Sequence, residues 1–344
     1  MQMGILSLGD HLRDVVLGER TSQRAKIRAM VELGVRTEKL GLDAFWVGEH
    51  HFNDYIVSSP QLVLAAVAER TSRIRLGTGV TLLPNHDPVR VAEDFATLDI
   101  LSEGRVDLGV GRGIFSDIFE AFGQDYADSR AQYRENLALL MRLWREDEVS
   151  WSGRFRTPLT NIRPEPRPVQ VPHPPIWIGG GISPESVDLA ADLGLPLILP
   201  SVFAPTDFFV PVVDRYRERF VAAGHDAAAM CVGGVNHCFV GTSSETAREL
   251  WLPRYRHYWE WVARLLTDQG TIGGQPSFDI EELERGPAVF GSAEEVAERI
   301  GNVTQKLGLD LHLAYMDLGG LPDSLLAESL DAYALEVVPK VRGA

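Results

Sequence analysis

Short apolar runs alternate with amphipathic stretches from one end of the 344-residue chain to the other. The runs cover 3–7, 44–48, 74–78, 106–110, 175–178, 196–199, 230–240 and 311–316, and their size and composition predict strands. Between the first two, Ile27, Met30, Val31, Gly34 and Val35 recur at i, i+3, i+4, i+7 and i+8, one face of a helix. Tyr133, Leu137, Leu140, Met141 and Trp144 repeat that spacing after the fourth run. Ser129-x-x-Gln132 and Ser292-x-x-Glu295 stand where capping boxes would start helices. Strands that are apolar nearly throughout and separated by helices predict parallel pairing with both sheet faces covered. Eight such units predict a single-domain (β/α)8 TIM barrel with insertions; a doubly wound open sheet is the competing arrangement.

Two regions break the alternation. Residues 146–174 are rich in Pro and β-branched residues, which predicts an extended or hairpin insertion rather than a helix. Residues 267–286 place Gly270, Gly273, Gly274 and Pro276 beside several carboxylates, and this stretch is expected to be a mobile lid loop.

Composition narrows the function classes. Asp and Glu number 48 against 33 Lys and Arg, a formal charge of −15, so the surface repels nucleic-acid phosphates and anionic lipid heads. Neither nucleic acid nor membrane is an expected partner. The most apolar segment, 193–205, is shorter than the ~20 residues of a span and is interrupted by Pro196 and Pro200. The opening MQMGILSLGD lacks the basic and apolar regions of a signal peptide, and a cytoplasmic location is expected. Cys231 and Cys238 are expected to be two buried thiols rather than a disulfide or a metal pair.

The candidate chemistry lies at strand ends, where barrels assemble active sites. The second run is followed at once by Glu49, His50, His51 and Phe52. Adjacent histidines point their rings in different directions, so one at most faces the centre easily, and no metal-ligand spacing accompanies them. The third run carries Gly77, Thr78 and Gly79 into LPNHDP, where glycines permit either close approach to the backbone or a bulge. After the fourth run come Gly111, Arg112, Gly113, Ile114 and Phe115; the GxGxG spacing is not a dinucleotide fingerprint. Arg112 between two glycines suits a two-pronged anion contact or a structural carboxylate. After the fifth run, Gly179, Gly180 and Gly181 lead into Ser183, Pro184, Glu185 and Ser186, with Ser183 as N-cap and Pro184 as first helical residue. Such a turn receives a phosphate well, or is simply a capped helix.

These motifs together resemble the bacterial-luciferase-like flavin-dependent monooxygenases, especially the luciferase α-type branch. The resemblance runs through EHHF at 49–52, LGTG…LP at 76–84, EGRVDLGVGRG at 103–113, PRPVQVPHPPIWIGGG at 166–181, GLPLIL at 194–199 and FGSAEEVAERI at 290–300. It implies reduced FMN as cosubstrate, delivered by a separate NAD(P)H:flavin reductase. That cosubstrate would react with O2 through a C4a-hydroperoxide to oxygenate a small organic substrate, usually in a homodimer or heterodimer, with a homodimer expected here. It implies His50 as the catalytic base or proton donor, with Thr78, Gly79, Arg112, Gly113, Gly181, Ser183 and Ser186 as cofactor-binding residues. Glu49, His51, Gly111 and Phe115 are then expected in the substrate pocket, and Gly79–Val80 as a cis peptide under the flavin ring. No metal is implied. Family relatives also use the deazaflavin F420 for hydride transfer, and others are non-catalytic flavin-binding subunits; both are alternative readings. One departure stands out: light-emitting members carry a cysteine where this chain has Gly111, which leaves Gly111 as a possible enlargement of the pocket.

Overall fold

Eight strands close on themselves as a parallel barrel in this computed structural model, which describes residues 1–181, 183–269 and 279–343. In chain order they are β1 (Gln2–Ser7), β2 (Ala44–Val47), β3 (Arg75–Thr78), β4 (Val106–Gly111), β5 (Ile176–Gly179), β6 (Leu197–Leu199), β7 (Val232–Val240) and β8 (Leu311–Tyr315). Each pairs in parallel with the next, and β8 returns to β1 from Gln2↔Leu311 to Leu6↔Tyr315. An open doubly wound sheet would leave two unpaired edges, and this circuit leaves none.

The apolar strands are apolar because both of their faces are covered. Every residue of β2, β4, β6, β7 and β8 is buried. Inside the barrel, Trp46 of β2 and Trp177 of β5 meet edge to face with ring centroids 5.6 Å apart. Gly77 on β3 makes room for them, since a Cβ there would run into the Trp46 indole. Outside, the predicted helical faces pack down as Gln23–Lys39 and Ser129–Arg145. The Ser292 capping box forms in full at the helix Ala293–Leu307.

The Ser129 capping box does not form. The helix Ser129–Arg145 is preceded by Asp128 at the N-cap position with no side-chain cap bond. Ser129 Oγ instead accepts from Arg112 Nη1 at 3.0 Å, and Gln132 Nε2 donates to the Pro84 carbonyl at 3.0 Å. Both side chains are drawn away from their own helix by groups that barrel closure brings near.

Within 146–174 the segments Val149–Trp151 and Leu159–Ile162 pair antiparallel. Two further short strands escape the pattern. Thr81–Leu82 pairs with the end of β4, and Val289–Gly291 pairs with Cys238 to Val240 of β7, beyond the residues that β8 covers. Runs of two or three residues carry no period to read.

Of the stretch 267–286, residues 270–278 lie outside the described residues. Its ends are helical rather than loop: Ser244–Asp268 is one helix and Ile280–Arg285 another, with Asp279 Oδ1 accepting from Glu282 N at 3.1 Å. The acidic run that reads as a polar loop is a capped first turn, where carboxylates suit the helix dipole. Cys231 and Cys238 are both free thiols. Among the described residues no helix is long and apolar enough to cross a membrane, and no cluster of His, Cys, Asp and Glu is arranged to hold a metal.

Candidate active site

A cavity of 380 Å³ opens at the C-terminal ends of the strands. Its walls are largely aliphatic and aromatic, and nearly every strand contributes: Glu49 and His50 after β2, Gly79 and Val80 after β3, and Gly111 at the end of β4 with Arg112 to Phe115 after it. Gly179 ends β5 and Gly180, Ser183 and Ser186 follow it, Leu199 and Pro200 close β6, His237 lies on β7 and Tyr315 ends β8.

Arg112 and the serines reach this space from neighbouring strands, since β4 and β5 pair from Leu108↔Ile176 to Val110↔Ile178. The Arg112 guanidinium is steadied by Ser129 Oγ and lies 5.1 Å from the centre of the Tyr126 ring. Gly113, at φ 84, takes the turn that carries the chain away from Arg112. Ser183 occupies the N-cap position of the helix Pro184–Leu193 in extended geometry, but its hydroxyl does not cap the helix. Ser183 Oγ and Ser186 Oγ pair with each other at 3.1 Å, and both residues face the cavity.

The Glu-His-His run divides its work. Glu49 is buried, and its Oε1 accepts from His51 Nε2 and His86 Nε2, each at 2.8 Å, while Oε2 accepts from the Leu82 backbone at 3.0 Å. Burial opposes its charge, yet these donors win and hold the carboxyl down to about 2. The Glu49 carboxylate in turn draws the His86 imidazole above its usual pKa, against the pull of burial. His50 has no such partner. Its Nδ1 is buried without a hydrogen bond, its ring lies 4.3 Å from that of Tyr55, and burial pushes its pKa down to about 4. At neutral pH it is an uncharged imidazole facing the cavity.

The Gly79–Val80 peptide is cis, and both residues line the cavity. Gly111 does not enlarge the space: a Cβ there would stand 2.5 Å from Val80 Cγ2, so its bareness makes room for valine. Phe115 is buried in the wall.

Three expected residues stand behind the lining. Thr78 is fully buried and donates its hydroxyl to the Gly109 carbonyl at 2.7 Å, a strand-to-strand tie. His51 turns to Glu49 and packs against Phe122 with centroids 5.0 Å apart. Gly181, at φ 135, has Leu199, Pro200 and Phe209 where a side chain would go. Conversely, Asn85, Tyr55, Tyr258 and His237 line the cavity without having been singled out, and His86 completes the Glu49 cluster. A polar residue inside an otherwise apolar run was the only trace, as in VGGVNHCFV of β7.

The luciferase-like monooxygenase family model matches residues 1–311. The oxygenase component of the flavin-dependent trigonelline monooxygenase of Acinetobacter baylyi is 27% identical over 352 residues, covering 97% of this chain and 94% of that protein. The 4-hydroxyprotoasukamycin monooxygenase of Streptomyces nodosus subsp. asukaensis is 30% identical over 333 residues, covering 91% and 86%. Among solved structures, the monooxygenase RslO1 from Streptomyces bottropensis superposes with a TM-score of 0.85 at 26% identity, covering 98% of this chain and 99% of that one. With the barrel, the cavity at its rim and a family match over nearly its whole length, the chain belongs to the luciferase-like monooxygenase family and is an enzyme of the oxidoreductase class.

Proposed function

We propose that this chain is the oxygenase component of a two-component flavin-dependent monooxygenase. Its cosubstrates are O2 and reduced FMN, the latter delivered by a separate NAD(P)H:flavin reductase, and a small organic molecule accepts one oxygen atom. The observation that carries this reading is one cavity in which Arg112, Ser183 and Ser186 share an apolar enclosure with a neutral, unpartnered His50.

The residues fit a flavin. Its phosphate calls for a guanidinium and hydroxyls, which Arg112, Ser183 and Ser186 supply. Its ring edge carries both donors and acceptors, and the cavity offers buried polar atoms that lack partners: His50 Nδ1 and both amide atoms of Asn85. When bound, reduced flavin would supply the two electrons that activate O2, one oxygen atom of which passes to the substrate while the other leaves as water. The chain does the rest. Arg112 anchors the tail, the apolar walls exclude water, and His50 takes or returns a proton at its unpartnered nitrogen.

The test binds reduced FMN anaerobically, then mixes the complex with O2 and follows flavin absorbance. Reoxidation slower than that of free FMNH2 is the expected result. Reoxidation at the free-flavin rate, or binding of F420 in preference to FMN, overturns the reading.

A further inference from the structure

On the β7 side the cavity ends against His237. This side chain is fully buried, it lines the cavity, and neither of its ring nitrogens has a hydrogen-bond partner. Aromatic rings box it in: Tyr258 and Tyr315 with centroids at 5.1 Å, Tyr255 and Trp259 at 5.6 Å. Such neighbours pack well but leave the imidazole nitrogens without an ordinary donor or acceptor. A buried polar group in that state costs free energy that a ligand recovers on binding.

The rings continue as a belt toward His50. Tyr258 Oη and Tyr55 Oη are 2.6 Å apart, and Tyr55 lies against His50. A molecule held between this belt and a flavin anchored at Arg112 therefore borders both His50 and His237.

Charge decides what that molecule is. Among the described residues lining the cavity, Arg112 is the only Lys or Arg and Glu49 the only carboxylate. Arg112 follows β4, three strands from His237 in the closed barrel, and Glu49 is already occupied by His51, His86 and the Leu82 backbone. Burial also keeps His237 neutral, with its pKa down to about 3. An anionic head placed there would lose its water and gain no counter-charge. A neutral imidazole carries one N–H donor and one acceptor, which matches a hydroxyl or carbonyl oxygen. The walls on that side, Ile198, Val202, Val235, Val262 and Leu313, are aliphatic.

We propose that His237 is the polar end of the substrate subsite and selects an uncharged, largely apolar substrate that bears a hydroxyl or carbonyl oxygen. This deepens the monooxygenase reading and rests on it.

The test compares 2-naphthol with 2-naphthoate, which share a ring system and differ in charge, by calorimetric titration of FMN-saturated protein. The expected result is 2-naphthol binding at least about tenfold more tightly. His237→Leu should weaken 2-naphthol about tenfold and leave FMN affinity unchanged, while His237→Gln, which keeps a donor and an acceptor, recovers part of the loss. Equal or tighter binding of 2-naphthoate, undiminished binding of 2-naphthol by His237→Leu, or binding of neither probe overturns the proposal. Where His237→Leu does not fold, His237→Gln carries the test of the residue, and the wild-type comparison still tests the preference for an uncharged ligand. Failure of the wild type to take up FMN in the same samples would instead strike the parent reading.

Discussion

His50 and Glu49 are adjacent in the chain and opposite in chemistry. Glu49 is surrounded by donors and stays charged, whereas His50, half-buried beside Tyr55 and with no hydrogen bond to its Nδ1, stays neutral down to about pH 4. Replacing His50 with Ala is expected to lower coupled oxygenation about a hundredfold, the range of a lost general acid or base, with little change in flavin affinity. Product formed per NADH consumed, set beside an FMN titration, checks both halves. The depressed pKa also fixes the direction with pH: His50 takes up a proton as pH falls through about 4, so its contribution to single-turnover rates is lost there. An acid limb centred near the ordinary imidazole value and absent in His50→Ala would contradict this environment. Arg112→Ala removes a charge-assisted contact and should weaken FMN about 10- to 100-fold in the same titration.

At the scale of elements, the site depends on how the loops after β2, β3 and β4 lock together. Glu49, after β2, holds His86 and the Leu82 backbone, both beyond β3. Glu49→Gln leaves two imidazole donors and a backbone N–H competing for one acceptor, and should cost about 3 kcal/mol in urea unfolding. Gly111 at the end of β4 and Val80 after β3 are the second lock. Gly111→Ala forces its methyl against Val80 and is expected to destabilise the protein by about 1–3 kcal/mol. Val80→Ala in the same chain should restore most of that, and a double-mutant cycle by urea unfolding measures the coupling.

For the whole molecule, buried imidazoles set the acid side of stability. Burial lowers His50 to about 4, His237 to about 3 and His312 to about 4. Below the ordinary imidazole pKa the unfolded chain binds protons that the folded chain refuses, so stability present at neutral pH is lost as pH falls toward 4. Asp10, raised to about 6 by burial, and His86, raised by Glu49, act in the opposite direction and offset part of it. The balance favours the three lowered histidines, and the melting temperature should fall between pH 7 and pH 4.5. An unchanged or rising value in calorimetry would show that the offsetting groups dominate.

The eight barrel strands with helices between them, the Ser292 cap and the strand ends that line the cavity were legible in the chain, because each depends on spacing over a few residues. Period, cap stereochemistry and glycine placement are local properties, and a barrel is what eight such units close into. What tertiary structure alone decided is which side chains find partners. Ser129 and Gln132 read as a cap and became props for Arg112 and the loop at Pro84; Glu49 found His86 37 residues away; Gly111 proved to be space for Val80. His237 looks like an ordinary strand residue until closure surrounds it with rings from the helix Ser244–Asp268 and from β8, and leaves both of its nitrogens unanswered. Hydrogen bonds and exclusions of this kind join residues far apart in sequence, and only the closed barrel sets the distances between them.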